Sequence, residues 1–314
     1  MTISPVAKNT LDQKGREQKR LGAFWGLATG DALGAPIEFY PRDRLPAIQD
    51  MTGGGKFKLP PGAWTDDTSM ALCLGHSLIL HPTLNSADVL NRFWDWASKN
   101  EYCSQDKAFG FGQNTLRTLM KFYKTGQLKA DSTGKHSDGN GALMRLSPVA
   151  IVHHDNVEET RRIARRQSFT THSSTKSADC CELLGMLLCH LFSGLSLLEA
   201  LNATEHHDCV ESWDGEVQDL VRGTWLTKTR KEISSIGYVV HTLEAALWSV
   251  HQTTSFEDAL VLAVNLGHDA DTVGAVTGQL AGALYGVQAI PERWIKALAK
   301  PDMLEVCAEG LVNR

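Results

Sequence analysis

The first feature that could do chemistry is a pair of adjacent carboxylates, Asp66 and Asp67, between the two threonines of Trp64–Thr68. The motif follows a Pro-Pro-Gly turn and precedes an apolar segment with helical spacing. Thr65 is a good helix N-cap, and acids in a first helical turn interact favourably with the helix dipole. Because capping needs only one such side chain, a bound cation is the alternative explanation for the adjacent pair.

A second motif of similar composition, Asn265–Thr272, lies near the other end of the chain and again precedes an apolar helix. It carries Asp269, Asp271 and Thr272. Mg²⁺ and Mn²⁺ prefer oxygen ligands, and two metal ions about 3.5–4 Å apart need several carboxylates from separate segments. The repeated pattern therefore favours a metal centre over two coincident helix caps.

Two further acids lie near the end of a predicted first helix. Pro36 should end this helix, so we expect Glu38 at the mouth of a loop rather than on a solvated helix face. An ordinary loop glutamate is the alternative. Asp31, inside the helix, has the alternative role of a buried structural acceptor.

The helices that must position these acids carry stripes of glycine. Each interior glycine costs about 1 kcal/mol relative to alanine, so four in one helix require compensation by packing. A spacing of four places the glycines on one face, where another backbone can approach closely. We therefore expect both helices at the centre of a bundle. The stripes are Gly22, Gly26, Gly30 and Gly34 in the first helix, and Gly274, Gly278, Gly282 and Gly286 in the second.

Most of the remaining chain has the three- and four-residue apolar spacing of helices. The predicted helices are 68–80, 87–98, 115–123, 156–167, 177–191, 237–250 and 256–266. The predicted loops are 41–61, 129–141 and 206–231, none of which has the composition of an interdomain linker. We therefore expect one all-α domain over residues 21–314, preceded by a polar N-terminal extension, residues 1–20.

Composition narrows the classes of partner. The 314 residues include 31 Lys and Arg against 36 Asp and Glu, and the net charge of −5 argues against nucleic-acid or membrane partners. The first twenty residues resemble neither a signal peptide nor a membrane span. The seven cysteines lack zinc-site spacing, and buried free thiols are typical of a reducing compartment. We expect a cytoplasmic protein that acts as a monomer.

Five motifs in order resemble the ADP-ribosylglycohydrolase family. The resemblance runs from about residue 21 to about residue 294 and implies a single compact orthogonal helical bundle. It also implies that two Mg²⁺ or Mn²⁺ ions per chain support removal of ADP-ribose from a modified protein side chain. The motifs are Gly30–Gly34 followed by Glu38, Trp64–Thr68, Gly139–Arg145, Thr171–His172 and Asp269–Thr272.

The resemblance carries site roles over to matching positions of this chain. The implied metal ligands are Thr65, Asp66, Asp67, Asp269, Asp271 and Thr272. The implied catalytic residues are Glu38, Asp67 and Asp269, with Glu38 close to the metals rather than an essential ligand. The implied ADP-ribose site consists of Gly139, Asn140, Gly141, His172 and Tyr238, although a core tyrosine is the alternative for Tyr238.

Two positions depart from the family pattern. His268 stands where a second glycine is usual, and Gly110 stands where nitrogenase-type members carry an aspartate. The missing carboxylate at Gly110 argues against a nitrogenase-regulating role. The motif set resembles the arginine-directed members most, so we expect ADP-ribosyl-arginine as the substrate.

Two other functions stay open at this point. The His268–Asp269 dyad suggests an all-α metal-dependent phosphohydrolase, which would need His268 as a ligand but leaves the adjacent Asp66 and Asp67 unexplained. A non-catalytic ADP-ribose-binding protein with the same fold is the second alternative.

Overall fold

Helices make up nearly all the regular structure of the computed structural model, which describes residues 11–131 and 138–314. Within these residues the only bridge pairs are two isolated ones, Gly54 with Leu59 and Gly139 with Tyr238. The predicted all-α class is therefore confirmed. The α-helices are α1 (Gln13–Gly34), α2 (Asp66–Leu80), α3 (Ser86–Lys99), α4 (Gln113–Thr125), α5 (Ser147–Val152), α6 (Val157–Ser168), α7 (Thr175–Phe192), α8 (Leu197–Glu205), α9 (Gly215–Val221), α10 (Val239–His251), α11 (Phe256–Val264), α12 (Ala270–Tyr285), α13 (Glu292–Ala297) and α14 (Pro301–Val312).

The antiparallel pair α1 and α12 lies at the centre of the bundle, as the glycine stripes predict. A Cβ atom built on Gly26 would lie 2.1 Å from the carbonyl oxygen of Gly278, and one built on Gly30 would lie 2.0 Å from that of Gly274. No side chain fits at such distances, so each glycine allows direct backbone contact between the helices. This contact brings the C-terminal end of α1 beside the N-terminal end of α12.

The first helix reaches into the segment expected to be a polar N-terminal extension. Helix α1 begins at Gln13, because Asp12 caps it by accepting a hydrogen bond from the backbone nitrogen of Gly15 at 2.7 Å. Lys19 lies within the expected extension but donates to the carbonyl of Leu284 at 2.6 Å. Residues 13–20 are thus the first turns of the central helix, and residues 1–10 lie outside the described residues.

The polar stretch 206–231 is also not a continuous loop. It contains a short 3₁₀ helix, Asp208–Ser212, and helix α9. The seven helices predicted from periodicity are present with ends shifted by at most two residues. The predicted loop 129–141 includes residues 132–137, which lie outside the described residues.

Two further observations concern the cysteines and the character of the helices. All seven cysteines are free thiols, and only Cys209 is partly exposed. None of the described helices combines the length and the apolar character that crossing a membrane requires.

Candidate active site

The acidic residues lie where the ends of three helices meet. Asp66 begins α2, Asp269 is the N-cap of α12, and Glu38 follows a short 3₁₀ helix, Ala35–Ile37, that ends α1. As predicted, the α-helix stops before Pro36. Glu38 is buried, with 8% of its surface exposed, so it is not an ordinary loop glutamate.

Asp31 joins α1 to the start of α2. Its carboxylate accepts from the backbone nitrogens of Thr65 and Thr68 at 2.9 and 3.0 Å, and from the Thr68 hydroxyl at 2.6 Å. Burial raises its pKa to about 6 although these hydrogen bonds oppose the shift. Asp31 is therefore a buried structural acceptor, and it replaces a Thr65 side-chain cap at this helix end.

Carboxylate oxygens converge in two groups that share one residue. One group consists of Asp31, Asp67 and Asp271, and the other of Glu38, Asp269 and Asp271. Within each group the oxygens lie within 4.8 Å of one another. A shared carboxylate between two oxygen clusters is an arrangement that two neighbouring hard cations can use.

Three buried oxygens of these groups lack any hydrogen-bond partner. They are Asp67 Oδ1, Asp271 Oδ1 and Glu38 Oε2. A buried carboxylate oxygen without a donor is costly, and a divalent cation is a chemically suitable partner for it. The donor set, composed entirely of oxygen, fits Mg²⁺ or Mn²⁺ better than a soft metal.

The electrostatics of the cluster agree with a cation site. Burial and the charge of Asp269 raise the pKa of Glu38 to about 8. Burial, followed by neighbouring acids, raises the pKa values of Asp66, Asp67 and Asp271 well above their usual range. In the metal-free chain these acids therefore favour protonation, and a bound cation would favour their ionised forms.

Only three of the six expected metal ligands belong to the two carboxylate groups. Asp67, Asp269 and Asp271 belong to the two groups, whereas Asp66 and Thr272 line the adjoining cavity. The Thr65 hydroxyl lies 2.9 Å from Asp31 Oδ1 and 3.0 Å from Asp67 Oδ2. Sequence reasoning placed Glu38 outside the ligand set, but the structure places one of its oxygens in the second group.

A cavity of about 550 Å³ opens beside the acidic groups. Its wall includes four of the five residues expected to contact ADP-ribose, namely Gly139, Asn140, Gly141 and His172. The Asn140 side chain donates to Asp269 at 2.6 Å and to the Thr242 hydroxyl at 2.8 Å. Asn140 thus positions a carboxylate of the centre, a role that sequence reasoning did not identify.

His172 and Tyr238 differ in their relation to the cavity. Burial, followed by the charge of Arg145, lowers the pKa of His172 to about 3, so its ring is neutral. Tyr238 is half-buried and is not part of the cavity wall, although its backbone pairs with Gly139. Its hydroxyl accepts from Lys176 at 2.7 Å and donates to a glutamate at the surface.

The His268 backbone has a specific structural role. His268 has a φ of 59°, its nitrogen donates to Tyr40 at 2.7 Å, and its carbonyl accepts from Phe39 at 2.6 Å. The left-handed φ explains why glycine suits this position. The side chain is exposed and belongs to neither carboxylate group, so the phosphohydrolase alternative loses the ligand that it needs.

Gly110 is also required by geometry. Its φ is 80°, and a Cβ atom built there would lie 2.5 Å from Asp66 Oδ1. The left-handed φ favours glycine here, and a larger side chain would also require the Asp66 carboxylate to move.

Comparisons with known proteins agree with this geometry. The ADP-ribosylglycohydrolase family profile matches residues 12–314. The chain belongs to the ADP-ribosylglycohydrolase family. The resemblance inferred from five motifs is thereby confirmed, and the match begins at the cap of α1 rather than at residue 21.

Relatives within this family are similar over most of their length. ADP-ribosylarginine hydrolase Tri1 of Serratia proteamaculans is 40% identical over 293 residues, which cover 93% of this chain and 78% of the relative. ADP-ribosyl-(dinitrogen reductase) glycohydrolase of Rhodospirillum rubrum is 33% identical, covering 89% and 90%. A solved ADP-ribosylglycohydrolase-related protein complex contains a chain 39% identical, with a TM-score of 0.82 over 96% of this chain and 99% of that one.

Proposed function

We propose that this protein is a metal-dependent hydrolase that removes ADP-ribose from arginine side chains of modified proteins. The observation that carries the proposal is the pair of carboxylate groups sharing Asp271, with three partnerless buried oxygens at the edge of a large cavity. Relatives that are 40% and 37% identical are named ADP-ribosylarginine hydrolases, which supports the arginine linkage.

The proposed cofactors are two Mg²⁺ or Mn²⁺ ions per chain. Bound cations of this kind chelate sugar hydroxyls and lower the pKa of a bound water. The residues proposed to hold them are Thr65, Asp66, Asp67, Asp269, Asp271 and Thr272. One oxygen of Glu38 lies in the second group, but Glu38 is not proposed as an essential ligand.

The chain's own groups would assist the reaction in two ways. Glycoside hydrolysis passes through a cationic sugar, which the carboxylates of Asp67 and Asp269 stabilise. Glu38 is the proposed proton-transfer group, because its buried carboxyl lines the cavity directly beside the Asp269 and Asp271 carboxylates. Asn140 would keep Asp269 in place through its 2.6 Å hydrogen bond.

The proposed ADP-ribose site uses neutral donors. The glycine-rich segment Gly139–Gly141 offers backbone N–H groups for a diphosphate without adding positive charge, consistent with a net charge of −5. Neutral His172 lines the same cavity, and Tyr238, which is outside the cavity wall but pairs through its backbone with Gly139, is proposed to border the site. We further propose a cytoplasmic monomer whose partner is the ADP-ribosylated protein and not a nucleic acid or a membrane.

The test compares defined substrates. ADP-ribose release is measured from arginine-linked and serine-linked peptides, with added Mn²⁺ and after exhaustive chelation. We expect metal-dependent release from the arginine-linked peptide and much slower release from the serine-linked one. Binding of ADP-ribose without release from either peptide would instead support a non-catalytic receptor.

A further inference from the structure

Three phenylalanines form a cluster, and two of them line the cavity. The rings of Phe39 and Phe57 are 6.0 Å apart edge to face, and those of Phe57 and Phe109 are 5.1 Å apart. Phe39 is 52% exposed and Phe57 is 38% exposed. Both rings line the cavity, yet neither has a role in the function proposed so far.

The backbone holds this cluster in place, with a strained conformation at Phe39. Phe39 has a φ of 70°, which is rare for a bulky residue, and its nitrogen donates to the His268 carbonyl. Phe57 lies on a tight loop closed by paired hydrogen bonds between Gly54 and Leu59. This loop packs against the segment before Glu38, since a Cβ atom built on Gly55 would lie 2.5 Å from the Pro36 carbonyl oxygen.

The cluster adjoins one side of the acidic centre. Phe39 directly follows Glu38, and Phe109 precedes Gly110, whose backbone lies against Asp66. The glycine-rich segment proposed for the diphosphate lines the same cavity and contacts Asp269, whose carboxylate is grouped with that of Glu38, whereas Phe39 and Phe57 line the cavity beside Glu38 itself. A group leaving the sugar near Glu38 and Asp66 would therefore meet the aromatic rings.

The chemistry of the cluster suits a cation. Lys56 Nζ lies 4.5 Å from the centroid of the Phe39 ring, so this ring already attracts a cation of the chain, and a substrate guanidinium would displace that ammonium or stack on the neighbouring Phe57 ring. Aromatic faces attract cations, and the planar guanidinium of arginine stacks on them particularly well. Nearby Glu38 and Asp66 add acidic groups to the same cavity, whereas a serine side chain offers neither charge nor a planar group.

We propose that Phe39 and Phe57, with Phe109 packed against Phe57, form the subsite that receives the arginine side chain of the substrate, with its guanidinium against the exposed ring faces. The inference rests on the proposed function. It assigns the preference for arginine over serine to these rings rather than to the metal centre or to the ADP-ribose site.

The test uses Phe57→Leu, which keeps an apolar side chain but removes the ring. We expect kcat/KM for an arginine-linked peptide to fall about tenfold, mainly through KM, which is the size of one partly desolvated cation–π contact. Affinity for free ADP-ribose and the Tm should stay unchanged, and Phe57→Tyr should restore most of the loss. Tyr123→Leu, a change at an exposed aromatic residue outside the cavity, is the matched control.

A direct binding measurement separates this inference from the proposed function. Arginine methyl ester is titrated into the protein with saturating ADP-ribose, and we expect weaker binding to Phe57→Leu than to wild type. If wild type releases nothing from the arginine-linked peptide, the proposed function is wrong, but the titration still tests the subsite. Equal binding of the ester to both proteins, or an equal loss of ADP-ribose affinity, would overturn the inference.

Discussion

Replacing Gly30 with alanine tests how the helix pair builds the site. The new Cβ atom would lie 2.0 Å from the Gly274 carbonyl oxygen, whereas Cβ contacts below 3.0 Å essentially never occur. The two backbones must therefore separate locally by about 1 Å. Alanine in place of glycine stabilises a helix by about 1 kcal/mol, but overpacking typically costs about 1–3 kcal/mol or more. Because the clash here is with the backbone, we expect the cost to exceed the gain and the free energy of unfolding to fall by about 2 kcal/mol.

The same separation should alter the acidic centre. Gly30 precedes Asp31, and α12 carries Asp271, so a shift changes the spacing between the carboxylates. We expect Gly30→Ala to lose Mn²⁺ affinity. Gly22→Ala makes a similar clash, 2.3 Å from the Gly282 carbonyl oxygen, but lies about 12 Å further along the helix and should retain that affinity.

Urea unfolding and Mn²⁺ calorimetry on the same preparations measure both effects. Gly215→Ala is the control, because a Cβ atom there meets nothing within 4 Å. A wild-type unfolding midpoint for Gly30→Ala would refute the packing argument. Equal losses of Mn²⁺ affinity in Gly30→Ala and Gly22→Ala would refute the link between this packing and the site.

Three other predictions concern single side chains. Mn²⁺ should raise the Tm of wild type, and Asp271→Asn should remove most of this increase because both carboxylate groups share Asp271. The control Asp302→Asn, in the exposed first turn of α14, should keep the increase, and equal increases in the two variants would contradict the shared-ligand arrangement. Glu38→Gln should lower kcat by ~10²–10⁴-fold while retaining most Mn²⁺ and ADP-ribose affinity, measured by calorimetry beside turnover, and wild-type turnover would rule out proton transfer by Glu38. The pKa of His172 is about 3 in the folded protein and 6.5 in the unfolded chain, so between these values only the unfolded chain takes up a proton. The contribution of the neutral ring to the free energy of unfolding is therefore complete above pH 6.5 and is lost as the pH falls toward 3. The difference in unfolding free energy between wild type and His172→Gln should therefore shrink by about 2 kcal/mol between pH 6.5 and pH 5, and a constant difference would show that the ring is not buried in its neutral form.

Local sequence was sufficient for the helices and for the acidic motifs. The glycine stripes predicted the central pair because four-residue spacing places glycines on one face whatever the surrounding fold. The polar composition of residues 13–20 predicts an extension, whereas these residues form the first turns of α1. The Asp12 cap is the signal that would have corrected it.

Contacts between distant segments could not be predicted in the same way. Asn140 and Asp269 are 129 positions apart, so no local pattern shows that the amide positions the carboxylate. The aromatic cluster also could not be predicted, because it joins two separate inter-helix connections, one with Phe39 and Phe57 and the other with Phe109. The sequence leaves two roles open for Asp31, because its role depends on how α2 packs against α1. The hydrogen bonds that its carboxylate accepts from Thr65 and Thr68 show that it is a structural acceptor.

The central claim is that two bound metal ions make this chain an ADP-ribosyl-arginine hydrolase. The most direct test titrates Mn²⁺ into the metal-free protein while ADP-ribose release from an arginine-linked peptide is measured in the same samples. We predict that about two equivalents bind and that activity rises with their occupancy from a baseline near zero. Full activity after exhaustive chelation, or two bound equivalents without any release, would contradict the claim.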